Sequence, residues 1–366
     1  MRVAVLGIKR LPAFGGADRV VERLLDHLPA EHEYTVYLIR GAGPMLVDNG
    51  NRRYVYVPAV GGKHLRPFTY FLFCSLHFLF RGRYDVAHVH NSDFGVFCFL
   101  LKAKPGVRVI GTFHGDPYER GKWGRAAKLY LRTSELCFVR SCDALTSVAI
   151  SKKVPRRAVH YIPNGVDPWT PANGENTFPY EELGLEKARY VMFACGRLDS
   201  TKGLHHLLRA YAHLSDLAAA DRLLVVGDFS HDAEYSRRVV EEAASDPRVV
   251  LHTELLERDA LLEAIHSSSA FVFPSEVEGM SMMLLEAIAA ARVVVCSDIP
   301  ENLAVVGSDY PFLFESGNVA CLGAVLTRAL EAPVNGDDIR SALAETTAGF
   351  RWDAIAAEYG RLYQGA

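Results

Sequence analysis

The sequence of 366 residues has no CxxC pair, no apolar run near 20 residues and no strong charge of either sign. Each absence removes a class of protein. Its seven cysteines (74, 98, 137, 142, 195, 296 and 321) are scattered, so neither a disulfide framework nor a zinc site is suggested and a reducing cytoplasm fits best. A net charge of -3 gives no reason to expect nucleic-acid binding. There is no HExxH, no GxxxxGK[ST] and no GxSxG, which removes support for a zincin, a P-loop NTPase and a nucleophile-elbow hydrolase. DxD is absent too, which weighs against a metal-held sugar nucleotide. The opening MRVAVLGIKR runs straight into a strand-like stretch without a signal-peptide h-region, so a cytoplasmic protein is expected.

What is present is a globular composition, 49% hydrophobic and 23% charged, at a length suited to two domains with a cleft between them. Short β-branched runs alternate with helical patterns: RVAVLG then ADRVVERLLDHL, YTVYLI, YDVAHVH then GVFCFLLKA, VRVIGTFHG, DALTSVA. The rhythm predicts a parallel sheet covered on both faces. It restarts after YIPNGVDPWTPANGENTFPY, with RYVMFACG, RLLVVG, RVVLHTE, AFVFPS and RVVVCSD. Two consecutive doubly wound domains are expected, over 1–165 and 166–349, with ligands at the carboxyl ends of the strands.

The stretch RPFTYFLFCSLHFLFRGR carries an apolar run, Pro67–Phe80, of 14 residues, too short to span a bilayer. Lys63, His64, Arg66, Arg81 and Arg83 flank it. Two readings fit: a core helix with solvated ends, or a helix lying in a membrane interface.

EVEGMSMMLLEAIAA, residues 276–290, holds two acids in apolar surroundings. Ser281 is a natural N-cap for a helix from Met282, which leaves Glu278 in the preceding loop and Glu286 about one turn inside. A buried Glu286 needs donors, and either a salt bridge or ligand hydroxyls could supply them. The backbone N–H groups of Gly279, Met280 and Ser281 at the helix start suit an anion or polar ligand oxygens.

ACGRLDSTKGL places Arg197 and Lys202 at the end of another strand, where two cations suit a diphosphate or are simply solvated. Gly15 and Gly16 precede a helix after the first strand; lacking GxGxxG, they offer backbone donors to a phosphate, room for a close-approaching molecule, or a tight turn. His114 ends the strand VIGTFHG, and His90 and Asn91 end YDVAHVHN. A lone histidine at a strand end is more often structural than catalytic until its neighbours are counted.

Taken together, the Glu278/Glu286 pair with seven residues between, the Arg197–Lys202 spacing, YIPNGVD, the Gly-Gly loop and the HG dipeptide resemble the family 4 retaining glycosyltransferases of GT-B fold, nearly end to end. GTFHGDPYERGKWGRAAKLYLR and SDIPENLAVVG look like bacterial transferases of cell-surface polysaccharide or lipid-linked oligosaccharide, rhamnosyltransferases among them. The resemblance implies an α/β GT-B architecture, two Rossmann-like domains facing a cleft. The N-terminal domain would bind acceptor and be completed by a helix at about 350–366, and the C-terminal domain would bind donor. It implies a UDP-, dTDP- or GDP-sugar donor, a glycan, lipid-linked or small-molecule acceptor, and no cofactor or metal.

By position, Arg197 and Lys202 would hold the diphosphate, Glu286 the ribose and Glu278 the sugar hydroxyls, with Gly279, Met280, Ser281 and Leu285 beside them. Gly227, Asp228 and residues 253–256, including Thr253 and Leu255, would line the base pocket. His114 would sit beside the reacting sugar, and Gly15 and Gly16 near phosphate and acceptor. Two departures stand out: Ala17-Asp18 where subgroup members often carry Phe-Glu, and Ala291-Arg292 where a small residue and Gly are usual. Outside this reaction, an epimerase, a glycan phosphorylase or a non-catalytic nucleotide-binding subunit would carry similar features.

Overall fold

The computed structural model describes residues 1–13, 15–62, 65–115, 124–171, 178–214, 220–291, 293–331, 343 and 345–365. Lys63, His64, Arg292 and most of GDPYERGKWG lie outside the described residues. The chain divides into two compact units, Met1–Asn164 with Trp352–Ala366, and Gly165–Arg351.

The first unit is built on seven parallel strands: β1 (Arg2–Leu6), β2 (Glu33–Ile39), β3 (Arg52–Val57), β4 (Val86–His90), β5 (Arg108–Phe113), β6 (Ala144–Ser147) and β7 (His160–Tyr161). Their order is β3-β2-β1-β4-β5-β6-β7. β4 is buried at every position and β1 at all but its first, so β1 reads as an apolar run after Arg2 and β4 carries two buried histidines, His88 and His90, among its apolar residues. The edge strand β3 opens on Arg52 and Arg53 and is mostly half-buried, a charged rim that discourages further pairing. The sheet is flanked by α1 (Gly16–His27), α2 (Leu65–Arg81), α3 (Cys98–Lys102) and α4 (Arg125–Ser141). The spacing of Val20, Val21, Leu24 and Leu25 in α1 buries one stripe of that helix against the sheet.

Of the two readings of α2, its interior supports the core helix on one face: Tyr70, Phe71, Cys74, Ser75 and Phe78 are buried. Its other face leaves Leu65, Phe68 and Phe80 exposed, Phe80 at 76%. No described helix is long and apolar enough to cross a membrane. All seven cysteines are free, and five of them are buried.

The second unit repeats the plan with β8 (Tyr190–Arg197), β9 (Arg222–Asp228), β10 (Val249–His252), β11 (Ala270–Phe273), β12 (Val294–Ser297) and β13 (Leu313–Phe314), all parallel, in the order β10-β9-β8-β11-β12-β13. Its helices are α5 (Leu204–Ala212), α6 (Ala233–Ala243), α7 (Arg258–Ser267), α8 (Met282–Ala290), α9 (Pro300–Val306) and α10 (Val319–Glu331). The remaining helix, α11 (Trp352–Gln364), belongs to the first unit, where the Tyr363 hydroxyl lies 2.8 Å from His88 Nδ1 and Trp352 stacks with His27 at 6.3 Å between centroids.

Both sheets therefore reverse their winding once, between β1 and β4 in the first unit and between β8 and β11 in the second. At such a switch point the connections leave in opposite directions, and a crevice opens beyond the carboxyl ends of the two central strands.

Candidate functional site

In the second unit, β8 ends on Arg197, which pairs in register with Asp228 across an irregularity between Cys195 and Arg197. Such a bulge turns the strand end and re-aims its last side chain. The chain then makes a short 3-10 turn, Ser200–Lys202, whose start is capped by the Asp199 carboxylate accepting from the Thr201 N–H at 3.1 Å. Gly203 follows in the left-handed region, φ +68°, and an added Cβ there would lie 2.0 Å from the Pro274 carbonyl oxygen. Glycine is needed here for both conformation and close approach. It lets the turn after β8 lie directly against the loop after β11, where the Glu276 N–H donates to the Thr201 oxygen at 2.8 Å.

That loop contact brings Lys202 Nζ within 2.6 Å of Glu278 Oε1, although 76 positions separate them. Both side chains are largely shielded, at 22% and 10% exposure. The Cys195 thiol, pushed up to about 12 chiefly by burial, feels Lys202, Asp199, Glu278 and Asp228, which places four charged groups around this strand end. Gly227, opposite Cys195 in the register, is tight: an added Cβ would meet Cys195 Sγ at 3.0 Å.

Helix α8 begins where the sequence signals it. Ser281 is extended, and its hydroxyl accepts from the Leu284 N–H at 3.3 Å. Gly279 is half-buried and Met280 buried in the turn before the helix, while Leu285 is fully buried. Glu286 is 2% exposed and accepts from Arg258 Nε on α7 at 3.3 Å; Arg258 also lies 4.0 Å from Asp167. A salt bridge to Glu286 is thus present, supplied by a residue that sequence reading passed over. Nothing local to Arg258 announces it, because its partner is 28 positions away on another helix. Thr253 and Leu255 follow β10 and are exposed, Leu255 at 40%.

In the first unit the switch point holds histidines. His90 Nδ1 lies 2.9 Å from His114 Nε2, His88 Nε2 lies 2.8 Å from the Thr112 hydroxyl, and the His88 and His90 rings are 4.0 Å apart. His90 Nε2 is buried with no hydrogen-bond partner among the described residues. Burial pushes His114 down to about 4 and His88 down to about 3, with His90 held well below its usual range. Neutral imidazoles at the ends of β4 and β5 can accept or donate one hydrogen bond each without carrying charge. Gly7 at the end of β1, φ +93°, lets that strand approach β4 so closely that an added Cβ would sit 1.9 Å from the His90 carbonyl oxygen. Asn91 also has a positive φ, 78°, and its amide donates to the Gly7 oxygen at 3.4 Å. His88 was invisible as part of this group in the sequence because it reads as one more inward residue of a buried strand.

Gly15 caps α1 with an extended backbone, and neither Gly15 nor Gly16 would bring a Cβ within 4 Å of any neighbour. Their smallness is therefore not demanded by the fold. Asp18, the departure noted in this loop, accepts from the Lys9 N–H at 3.2 Å and so braces the turn after β1.

Comparison with known proteins supplies the family. Glycosyltransferase Family 4 matches residues 14–169 and Glycosyl transferases group 1 matches residues 189–332. The UDP-Gal:alpha-D-GlcNAc-diphosphoundecaprenol alpha-1,3-galactosyltransferase of Escherichia coli is 23% identical over 91% of this chain and 89% of its own length. Alpha-maltose-1-phosphate synthase of Mycolicibacterium smegmatis is 30% identical, over 69% of this chain and 70% of its own. Among solved structures, sucrose-phosphate synthase of Thermosynechococcus elongatus superposes with a TM-score of 0.81 at 18% identity, covering 100% of this chain and 98% of that one, a likeness of fold. With two family matches flanking the junction of two doubly wound units, the chain belongs to glycosyltransferase family 4, adopts the GT-B fold and is a glycosyltransferase.

Proposed function

We propose that the protein transfers a hexosyl or deoxyhexosyl unit from a UDP-, dTDP- or GDP-sugar to a hydroxyl, with retention of anomeric configuration and without a metal ion. The observation that carries this reading is the Lys202–Glu278 contact at the β8–β11 switch point, with Arg197 at the same end of β8 as Lys202. Two cations at one strand end match the two charges of a diphosphate, the guanidinium by a fork of hydrogen bonds and the ammonium as a point charge. As the bond between the anomeric carbon and the phosphate oxygen breaks, negative charge grows on that oxygen, so a cation already in place stabilises the transition state more than the ground state.

Binding of a diphosphate exchanges partners. Lys202 turns to the phosphate, and Glu278, relieved of it, accepts hydrogen bonds from the sugar hydroxyls. Glu286 accepts from the ribose while keeping Arg258, and Gly279, Met280 and Ser281 offer backbone donors from the start of α8. Retention is assigned to attack on the same face as departure, with the leaving phosphate oxygen taking the proton of the acceptor hydroxyl. His114 is assigned a hydrogen bond to the reacting sugar, and the open space at Gly15 and Gly16 is assigned to phosphate and acceptor.

The acceptor reading is a lipid-linked or glycan hydroxyl in cell-surface polysaccharide or glycoconjugate synthesis, by analogy with the diphosphoundecaprenol-linked acceptor named for the Escherichia coli relative. A panel of nucleotide sugars screened by thermal shift tests the donor. One base and sugar should raise the melting temperature well above the rest, and that donor should be consumed only when an acceptor is supplied. No shift with any nucleoside diphosphate sugar points to a non-catalytic subunit instead, and turnover of donor alone points to an epimerase.

Peripheral contact with the inner face of the membrane is part of the same reading. Exposed Leu65, Phe68 and Phe80 of α2 lie on a helical layer that continues through Phe99 of α3 to a stripe on α4, Arg125, Leu129, Arg132, Leu136 and Arg140, all exposed. Apolar side chains interleaved with arginines suit a bilayer rich in anionic lipid. Flotation with anionic vesicles at low salt should carry the protein upward, Leu129→Ser with Leu136→Ser should leave it behind, and failure of the unaltered protein to float removes this element.

A further inference from the structure

Two histidines on the first turn of α5 face a glutamate in the loop after β11. The rings of His205 and His206 are 3.9 Å apart, and His206 Nε2 lies 2.8 Å from Glu276 Oε1. One ligand atom from each of the three residues fits within 4.8 Å of the others. We propose that His205, His206 and Glu276 bind a single divalent ion of the zinc class.

The donor set matches the ion. Two imidazoles and one carboxylate suit zinc and the neighbouring late transition metals, with further positions filled by water; magnesium and calcium prefer all-oxygen sites. For metal bonds of about 2.0–2.1 Å in a tetrahedron, ligand atoms stand roughly 3.4 Å apart. The His206–Glu276 hydrogen bond needs to open by only about half an ångström to admit the ion, and Glu276, at 39% exposure, is free to make that movement.

The fold also leaves these rings incompletely used. His206 Nδ1 is buried with no hydrogen-bond partner among the described residues, while its Nε2 faces Glu276. With an ion on Nε2, the His206 proton would sit on Nδ1. His205 Nδ1 lies 2.8 Å from the Tyr235 hydroxyl, which can accept its proton and so orient the ring with the Nε2 lone pair outward.

An ion here ties the loop after β11 to the start of α5, two residues from Glu278 and three from Lys202. It is assigned no step in sugar transfer; its effect is to hold those two segments together, beside the contact between the Glu276 N–H and the Thr201 oxygen.

The test is metal binding to the full chain without an affinity tag, stripped by chelator and titrated with zinc, with cobalt as a spectroscopic probe. One equivalent should bind with low micromolar affinity or better, raise the melting temperature, and give cobalt a spectrum with nitrogen ligands. His206→Gln and Glu276→Gln should each weaken binding at least about 10-fold, with their metal-free melting temperatures close to that of the unaltered protein. Glu276→Gln, at an exposed position, serves as the second variant if His206→Gln fails to fold. Absence of tight zinc binding overturns the site, as does unchanged affinity in Glu276→Gln, which would place the ion on other histidines or on the free cysteines. Because the readout is the ion and not sugar transfer, this result stands apart from the donor reading.

Discussion

Lys202→Ala is expected to lower turnover by roughly 100- to 1,000-fold, about 3–4 kcal/mol, the usual loss when one preorganised donor to a developing oxyanion is removed. Arg197→Ala should do the same. The structural cost is smaller. Truncating Lys202 leaves Glu278 without its 2.6 Å partner, but that acid sits in a loop at a strand end with part of its side chain reachable by water. A stability loss of about 1.5–3 kcal/mol follows, the range for one hydrogen bond to a charged group. The comparison to make is single-turnover rate against melting temperature for both variants. A folded Lys202→Ala enzyme with near-normal turnover would remove the diphosphate assignment from this strand end.

Glu286→Gln separates the two roles that the sequence left open for that acid. Its contact with Arg258 is real, and since Arg258 is 34% exposed, solvent screening keeps the loss of that pair to about 1 kcal/mol. If Glu286 also accepts from the ribose, the amide weakens a hydrogen bond to a charged acceptor, about 1.5–3 kcal/mol, and nucleoside diphosphate affinity drops roughly 10- to 150-fold. The control is a 2′,3′-dideoxyribose analogue, which cannot donate. Unaltered protein should bind the ribonucleotide far better than this analogue, and Glu286→Gln should bind both alike. Equal affinity of variant and parent for the ribonucleotide would remove the ribose role from Glu286.

The pieces that a chain can announce through its near neighbours were legible in the sequence. Apolar runs bounded by glycine and proline marked the strands of two α/β units, and Ser281 before MMLLEAIAA marked the start of α8 and the loop position of Glu278. Arg197 and Lys202 could be placed at one strand end because only five positions separate them. Such features depend on propensity, capping and periodicity, which act over a few residues.

Which groups meet was decided by strand order. Placing β8 beside β11 sets Lys202 on Glu278, placing β4 beside β5 sets His90 on His114, and packing α7 on α8 sets Arg258 on Glu286. None of these pairs leaves a trace in local composition, because parallel strands are joined by long crossovers and their ends converge only after the whole sheet has formed. The same holds for α2. Its sequence is apolar all round, and only packing distinguishes the face carrying Tyr70, Phe71 and Phe78, which the core absorbs, from the face that leaves Leu65, Phe68 and Phe80 in water. Local physics determined the elements and the residue types at their ends; tertiary structure decided their partners, because hydrogen bonds and ion pairs form between side chains that the fold, not the order of the chain, brings within 3 Å.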